Sequence, residues 1–196
     1  PSLPFSVEDV QSTYLKGLGG AGSPPDRDID VVFSSRLDEE KCPEFYADLI
    51  ETNPKLNFAI CCGHPDIKGT ATKAIVRLKA LASAGRVTIY AGLSKPEYYR
   101  VLARPKIQFN CAKQDWVSFT LLEALVMGCA PVYPMTRSFT NVFPDGTLLY
   151  KEGSIQSAST LIDWVLNNTY QGYLLNAVDN VRRHIIGKAE ATLPEI

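Results

Sequence analysis

Residues 111–133 read CAKQDWVSFTLLEALVMGCAPVY, and the order of polar and apolar residues in this stretch decides the fold. A short strand-like run, 107–110, leads in, and Lys113, Gln114 and Asp115 make a polar loop. A helix is expected from about Ser118 to Met127, closing at Gly128, and a second strand-like run follows at 131–133. Ser118 suits the N-cap, where a hydroxyl can accept from an amide of the first turn. Two carboxylates, Asp115 and Glu123, bracket the start and middle of that helix. Strand, loop and helix N-terminus in this order seat a diphosphate in an α/β protein, because unpaired N–H groups and the positive end of the helix dipole point at it. Ser118, Phe119 and Thr120 are the residues that would present those amides.

Upstream, residues 29–34 (IDVVFS) form a continuous apolar run of strand length, the pattern of a strand covered on both faces. A charged loop follows, Ser35-Arg36-Leu37-Asp38-Glu39-Glu40-Lys41, and then a helix from about Pro43 to Thr52 with proline in its first turn. Further strands are expected at 56–62, ending at Gly63, at 87–91, ending at Gly92, at 106–110 and at 147–150. Helices are expected at 70–84, at 95–103 behind the capping box Ser94-Lys95-Pro96-Glu97, at 155–166 and at 173–186. Tyr98-Tyr99-Arg100 could suggest nucleic-acid stacking, but on a capped helix with Leu102 the tyrosines read as partly buried.

Strands alternating with helices of this length make βαβ units and a parallel sheet. Right-handed crossovers then lead to a Rossmann-like doubly wound α/β sheet of about six strands, ordered 3-2-1-4-5-6. In that order the first and fourth strands meet at the switch point, and ligands bind beyond their carboxyl ends. The loops placed there are 34–41, which carries Arg36 and Lys41, and 111–118, which carries Asp115.

The 196 residues, 45% of them hydrophobic, suffice for one domain with a sizeable core. A net charge of −1 gives no basic field for nucleic acid or anionic membranes. The apolar runs are strand-sized and fall short of the roughly 20 residues a membrane span needs. Five cysteines without C-x-x-C spacing read as reduced core thiols, and with no recognisable signal peptide the expected location is cytoplasmic. His64 and His184 are too few and too far apart to suggest zinc. Residues 1–28 are rich in Gly and Pro after a short amphipathic piece and read as a linker. The first residue is Pro rather than Met, and the chain reads as a piece of a longer protein.

Asp115-x7-Glu123, followed by Ala124, Leu125, Gly128, Pro131 and Val132, resembles the signature of the nucleotide-sugar-binding, C-terminal half of retaining GT-B glycosyltransferases, especially family-4-type enzymes. Arg36-Leu37-x-x-x-Lys41 resembles a second segment of that family, G-R-L-x-x-x-K. The likeness covers roughly residues 29–167. It departs from the family at Ser35, where Gly is usual, at Trp116-Val117-Ser118, where Gly-Phe-Gly is common, and at Asp115, one methylene shorter than the usual Glu.

The resemblance implies residues 1–28 as an interdomain segment, 29–188 as a donor-binding domain and 189–196 as a tail. It implies that Arg36 and Lys41 bind the donor's diphosphate, a role that suits them, since a fixed guanidinium and ammonium stabilise the charge that develops on a departing nucleoside diphosphate. It assigns Glu123 to the nucleotide ribose hydroxyls and Asp115 to the donor sugar. Gly63 would border the donor, and Gly92 with Leu93 would border the base. The implied function is transfer of a hexose or related sugar from a UDP-, GDP- or other nucleoside-diphosphate sugar to an acceptor held by an N-terminal domain outside this chain. The implied enzyme needs no bound cofactor or metal, and the isolated domain is expected to be inactive. A noncatalytic nucleotide-binding or interaction module of the same fold, or a GT-B-like epimerase, stands as the alternative. The base, the sugar and the acceptor, whether lipid, polysaccharide, protein or modified DNA base, are not written in these residues.

Overall fold

The structure, a computed structural model, describes residues 6–17, 26–62, 64–113, 115, 118–140, 143, 146–168, 179 and 183. In chain order its elements are α1 (Val7–Gly17), β1 (Ile29–Phe33), a 3-10 turn (Glu39–Lys41), α2 (Pro43–Thr52), β2 (Phe58–Cys61), α3 (Thr72–Ser83), β3 (Val87–Tyr90) and α4 (Lys95–Leu102). They continue with β4 (Pro105–Phe109), α5 (Phe119–Val126), β5 (Ala130–Pro134), α6 (Arg137–Thr140), β6 (Leu149–Tyr150) and α7 (Ile155–Asn167). Apart from 179 and 183, the expected helix at 173–186 lies outside the described residues, as do the tail 189–196 and most of the Gly-rich part of the linker.

The strands form one parallel sheet in the order β3-β2-β1-β4-β5-β6, the doubly wound order read from the alternation of elements. Alternation along the central strands sends side chains into two cores. Val31 and Phe33 of β1, with Phe58 and Ile60 of β2, pack with Tyr46, Leu49 and Ile50 of α2 and with Leu78 of α3. Val32 of β1 and Ala59 and Cys61 of β2 face the other way, onto Tyr98, Tyr99 and Leu102 of α4 and Val10 of α1. Burial on both faces explains why these strands read as unbroken apolar runs. Within the stretch expected as a linker, α1 packs along α4 through the buried Val10.

Two short elements carry no sequence signal. The 3-10 turn and α6 are about one turn each, too short to display a period. β6 is two residues long where four were expected, and the other strand and helix ends shift by one or two residues. The five cysteines are free thiols, with Cys61, Cys111 and Cys129 buried. Among the described residues no helix is long and apolar enough to cross a membrane.

Candidate nucleotide-binding site

The loops that follow β1 and β4 meet at the carboxyl edge of the sheet, because the two strands are neighbours. They are joined by main chain and side chain. The Lys113 amide donates to the Glu40 carbonyl (3.1 Å), and the Cys111 thiol sits against the carbonyls of Lys41 (3.3 Å) and Cys42 (3.2 Å). Burial pushes the Cys111 thiol well above its usual range, so it serves here as a neutral donor. Across this junction the Lys41 ammonium lies 3.3 Å from the Asp115 carboxylate, with both side chains largely sequestered at 13% and 14% exposure. A cation and an acid read from distant segments are therefore in contact.

Arg36 is elsewhere on the same loop. Its guanidinium pairs with Asp38 (2.8 Å) and Glu40 (3.2 Å) and is 73% exposed. Asp38 is itself largely sequestered, but the guanidinium and Glu40 are solvated, and pairs with a solvated member hold a side chain weakly, so Arg36 can reorient toward an anion.

α5 begins as its residues dictate. The Ser118 hydroxyl accepts from the Leu121 amide (3.3 Å), which caps the helix, and it also contacts the hydroxyls of Thr120 (3.0 Å) and Tyr133 (3.2 Å). Asp115 does not take the cap and is left for Lys41. Phe119 stays exposed at the helix start. The helix closes at Gly128, whose φ of 78° suits glycine, and Arg27 donates to the Met127 carbonyl (2.7 Å) to satisfy the end. Gln114, Trp116 and Val117 lie outside the described residues.

Glu123 is the most consequential side chain of α5. Its neighbours Leu121, Leu122, Ala124 and Leu125 are buried, and Glu123 itself is only 7% exposed. A carboxylate in that setting needs compensating donors. Lys95 of α4 supplies a charged one, with Nζ 2.6 Å from Oε1. The Tyr99 hydroxyl donates to Oε1 and the Tyr98 hydroxyl to Oε2, each at 3.0 Å. The same ammonium lies over both tyrosine rings, 4.9 and 5.0 Å from their centroids. Burial first, and then the charge of Glu123, raise the pKa of Tyr98 and Tyr99, which keeps both hydroxyls protonated as donors. Cys61 beneath them is pushed up to about 12, by burial first, then by Cys62 and Glu123.

Glu123, Lys95 and the two tyrosines line a cavity of about 670 Å³. Its other walls are Ser34 at the end of β1, Cys61 and Cys62 at the end of β2, Leu93 after β3, Phe119 and Thr120 at the start of α5, and Ser6, Asp9, Val10 and Thr13 of the N-terminal segment. Gly92 holds a φ of 70° and donates to the His64 carbonyl (2.6 Å), so that Leu93 turns into the cavity. Gly63 lies outside the described residues. The spacing Asp28-x-Asp30 falls at the opposite, amino end of β1, where Asp28 pairs with Arg104 (2.6 Å) and Asp30 with Lys106 (2.7 Å). Among the described residues no three His, Cys, Asp or Glu side chains gather as a metal site.

The sequence reading missed Lys95, Tyr98, Tyr99 and α1 as parts of this site. The available signal was Glu123 itself, a charge among leucines that called for a partner, together with a lysine and two tyrosines on a helix that starts at the same sheet edge.

No protein-family model matches the chain. Solved structures with this fold include sucrose-phosphate synthase from Thermosynechococcus elongatus, with a TM-score of 0.66 and 14% identity over 88% of this chain and 44% of the other. The catalytic domain of cholesterol-α-glucosyltransferase from Helicobacter pylori has a TM-score of 0.65 and 16% identity over 82% of this chain and 99% of the other. HepE from Anabaena, solved in complex with UDP, has a TM-score of 0.62 and 14% identity over 95% of this chain and 56% of the other. The structural neighbours are GT-B glycosyltransferases, and the six-stranded sheet here has the Rossmann-like architecture found in them. The chain spans about half the length of the synthase and of HepE.

Proposed function

We propose that this chain is the donor-binding domain of a retaining glycosyltransferase, acting on a nucleoside-diphosphate sugar. The observation that carries the reading is Glu123, a sequestered carboxylate facing a cavity of about 670 Å³ beside the switch point of a doubly wound sheet. The joined Lys41 and Asp115 loops stand at the same edge. The nucleoside enters the cavity, where Glu123 accepts from ribose hydroxyls and Leu93 borders the base. The diphosphate lies over the amides of Ser118, Phe119 and Thr120 at the start of α5. Lys41 leaves Asp115 to meet the diphosphate, Arg36 swings in from its exposed pairs, and Asp115 is released to the sugar hydroxyls. Opposing the charge on the departing nucleoside diphosphate is work these two cations can do without a metal.

The UDP bound to HepE and the glycosyltransferase neighbours support this reading. The acceptor site is assigned to a second domain outside this chain, so the chain alone binds nucleotide weakly and transfers nothing. Calorimetric titration with UDP and GDP tests the proposal. Glu123→Gln and Lys41→Met are each expected to weaken binding by about 1–3 kcal/mol, the range for a charge-assisted contact. Absence of binding to the unaltered chain would favour a noncatalytic interaction module, a reading that the existing partners of Arg36, Lys41 and Glu123 make the specific alternative.

A further inference from the structure

We infer that Lys95 and Glu123 together form a clamp for a vicinal diol, with Lys95 contacting the ligand directly. The inference rests on the nucleotide reading above, which already gives Glu123 to the ribose hydroxyls, and adds Lys95 as the group that meets the second hydroxyl.

Glu123 has hydrogen-bonding capacity left over. Two carboxylate oxygens offer about four acceptor positions. Among the described residues, Oε1 takes Lys95 and Tyr99, whereas Oε2 takes only Tyr98. The open position is therefore on Oε2, and by itself it can hold one hydroxyl. Beside it stands an ammonium with three N–H groups, of which Glu123 takes one and no other hydrogen bond is made among the described residues. The Lys95 side chain is 61% exposed and lines the same cavity, so its remaining donors are open to a ligand.

An acceptor and a donor thus stand next to each other, held apart by one short hydrogen bond. Each hydroxyl of a vicinal diol can donate and accept. One donates to Oε2 while the oxygen of its neighbour accepts from Nζ. A phosphate fits this corner poorly, because Glu123 repels it. Lys95 is well placed to keep its position, since it is the first residue of α4, behind Ser94 and Glu97, whose carboxylate accepts from the Ser94 amide (2.8 Å), and its ammonium rests on the rings of Tyr98 and Tyr99.

The test is titration of the full 196-residue chain with UDP and GDP and with their 2′,3′-dideoxy forms, using unaltered protein, Lys95→Met, Lys95→Arg and Glu123→Gln. The clamp predicts that Lys95→Met weakens the ribonucleotide by roughly tenfold, leaves the already weaker dideoxy form unchanged, and is largely rescued by Lys95→Arg. A thermal melt of each variant separates loss of fold from loss of contact. An equal loss with both nucleotide forms, or no loss with either, overturns the clamp. If Glu123→Gln weakens the ribonucleotide while Lys95→Met does not, the clamp alone fails and the nucleotide reading stands. If the unaltered chain binds neither nucleotide, that reading fails and takes the clamp with it.

Discussion

Glu123 shows how one buried charge organises its surroundings, and the tyrosines that serve it give a pH signature. Burial raises the pKa values of Tyr46, Tyr98, Tyr99, Tyr133 and Tyr150, and the charge of Glu123 adds to the effect at Tyr98 and Tyr99. A raised value in the folded state means that the unfolded chain loses its proton first, near pH 10. The stability contribution is therefore complete below about pH 10 and is lost as pH rises toward the folded values. Chemical denaturation at a series of alkaline pH values is expected to show stability falling above about pH 10, with a shallower fall in Glu123→Gln because one of the two causes is gone. At this scale the sequence announced the acidic and basic residues but not their partners. The apolar neighbours of Glu123 marked it as needing a partner, and only the folded chain, which brings the side chains of α4 within reach of α5, supplies Lys95. Arg36 was legible as a cation at the right edge, yet the same loop sequence holds Asp38 and Glu40, which engage it.

Among the elements, the loop after β1 carries the cations and is fixed by the segment before α3. The Ala71 amide donates to the Leu37 carbonyl (3.1 Å), the Glu39 amide to the Thr70 hydroxyl (3.1 Å), and the Thr70 amide to Asp38 (3.0 Å). Gly69 makes this approach possible, since a Cβ there would stand 2.0 Å from the Leu37 carbonyl oxygen. Gly69→Ala must push the two segments apart and is expected to destabilise the chain by about 1–3 kcal/mol in a denaturant melt. It should also weaken nucleotide binding, because Lys41 moves with the loop. The start of α5 offers a milder test: Ser118→Ala removes the cap and is expected to cost about 1 kcal/mol. The longer helices and the strands were legible from period, caps and apolar runs. The 3-10 turn and α6 were not, since a single turn has no periodicity, and the contact of Gly69 with Leu37 is a tertiary fact that one glycine in a polar loop does not announce.

Over the whole molecule, the strand order produces the site. Placing β1 beside β4 brings together two loops far apart in sequence, and the alternation of strands and helices was enough to read that order and the edge at which ligands gather. The cover that α1 gives the cavity was not legible, because an amphipathic piece ahead of a Gly-rich stretch does not say where it docks. The proposed function places a nucleoside diphosphate at the carboxyl edge around Glu123 and Lys41. Amide chemical-shift mapping during titration with UDP or GDP tests it most directly. Shifts are expected at Lys41, Leu93, Lys95 and residues 118–123, with the opposite end of the sheet around Asp28 and Lys106 unmoved. No shifts with either nucleotide, or shifts confined to that opposite end, would contradict it.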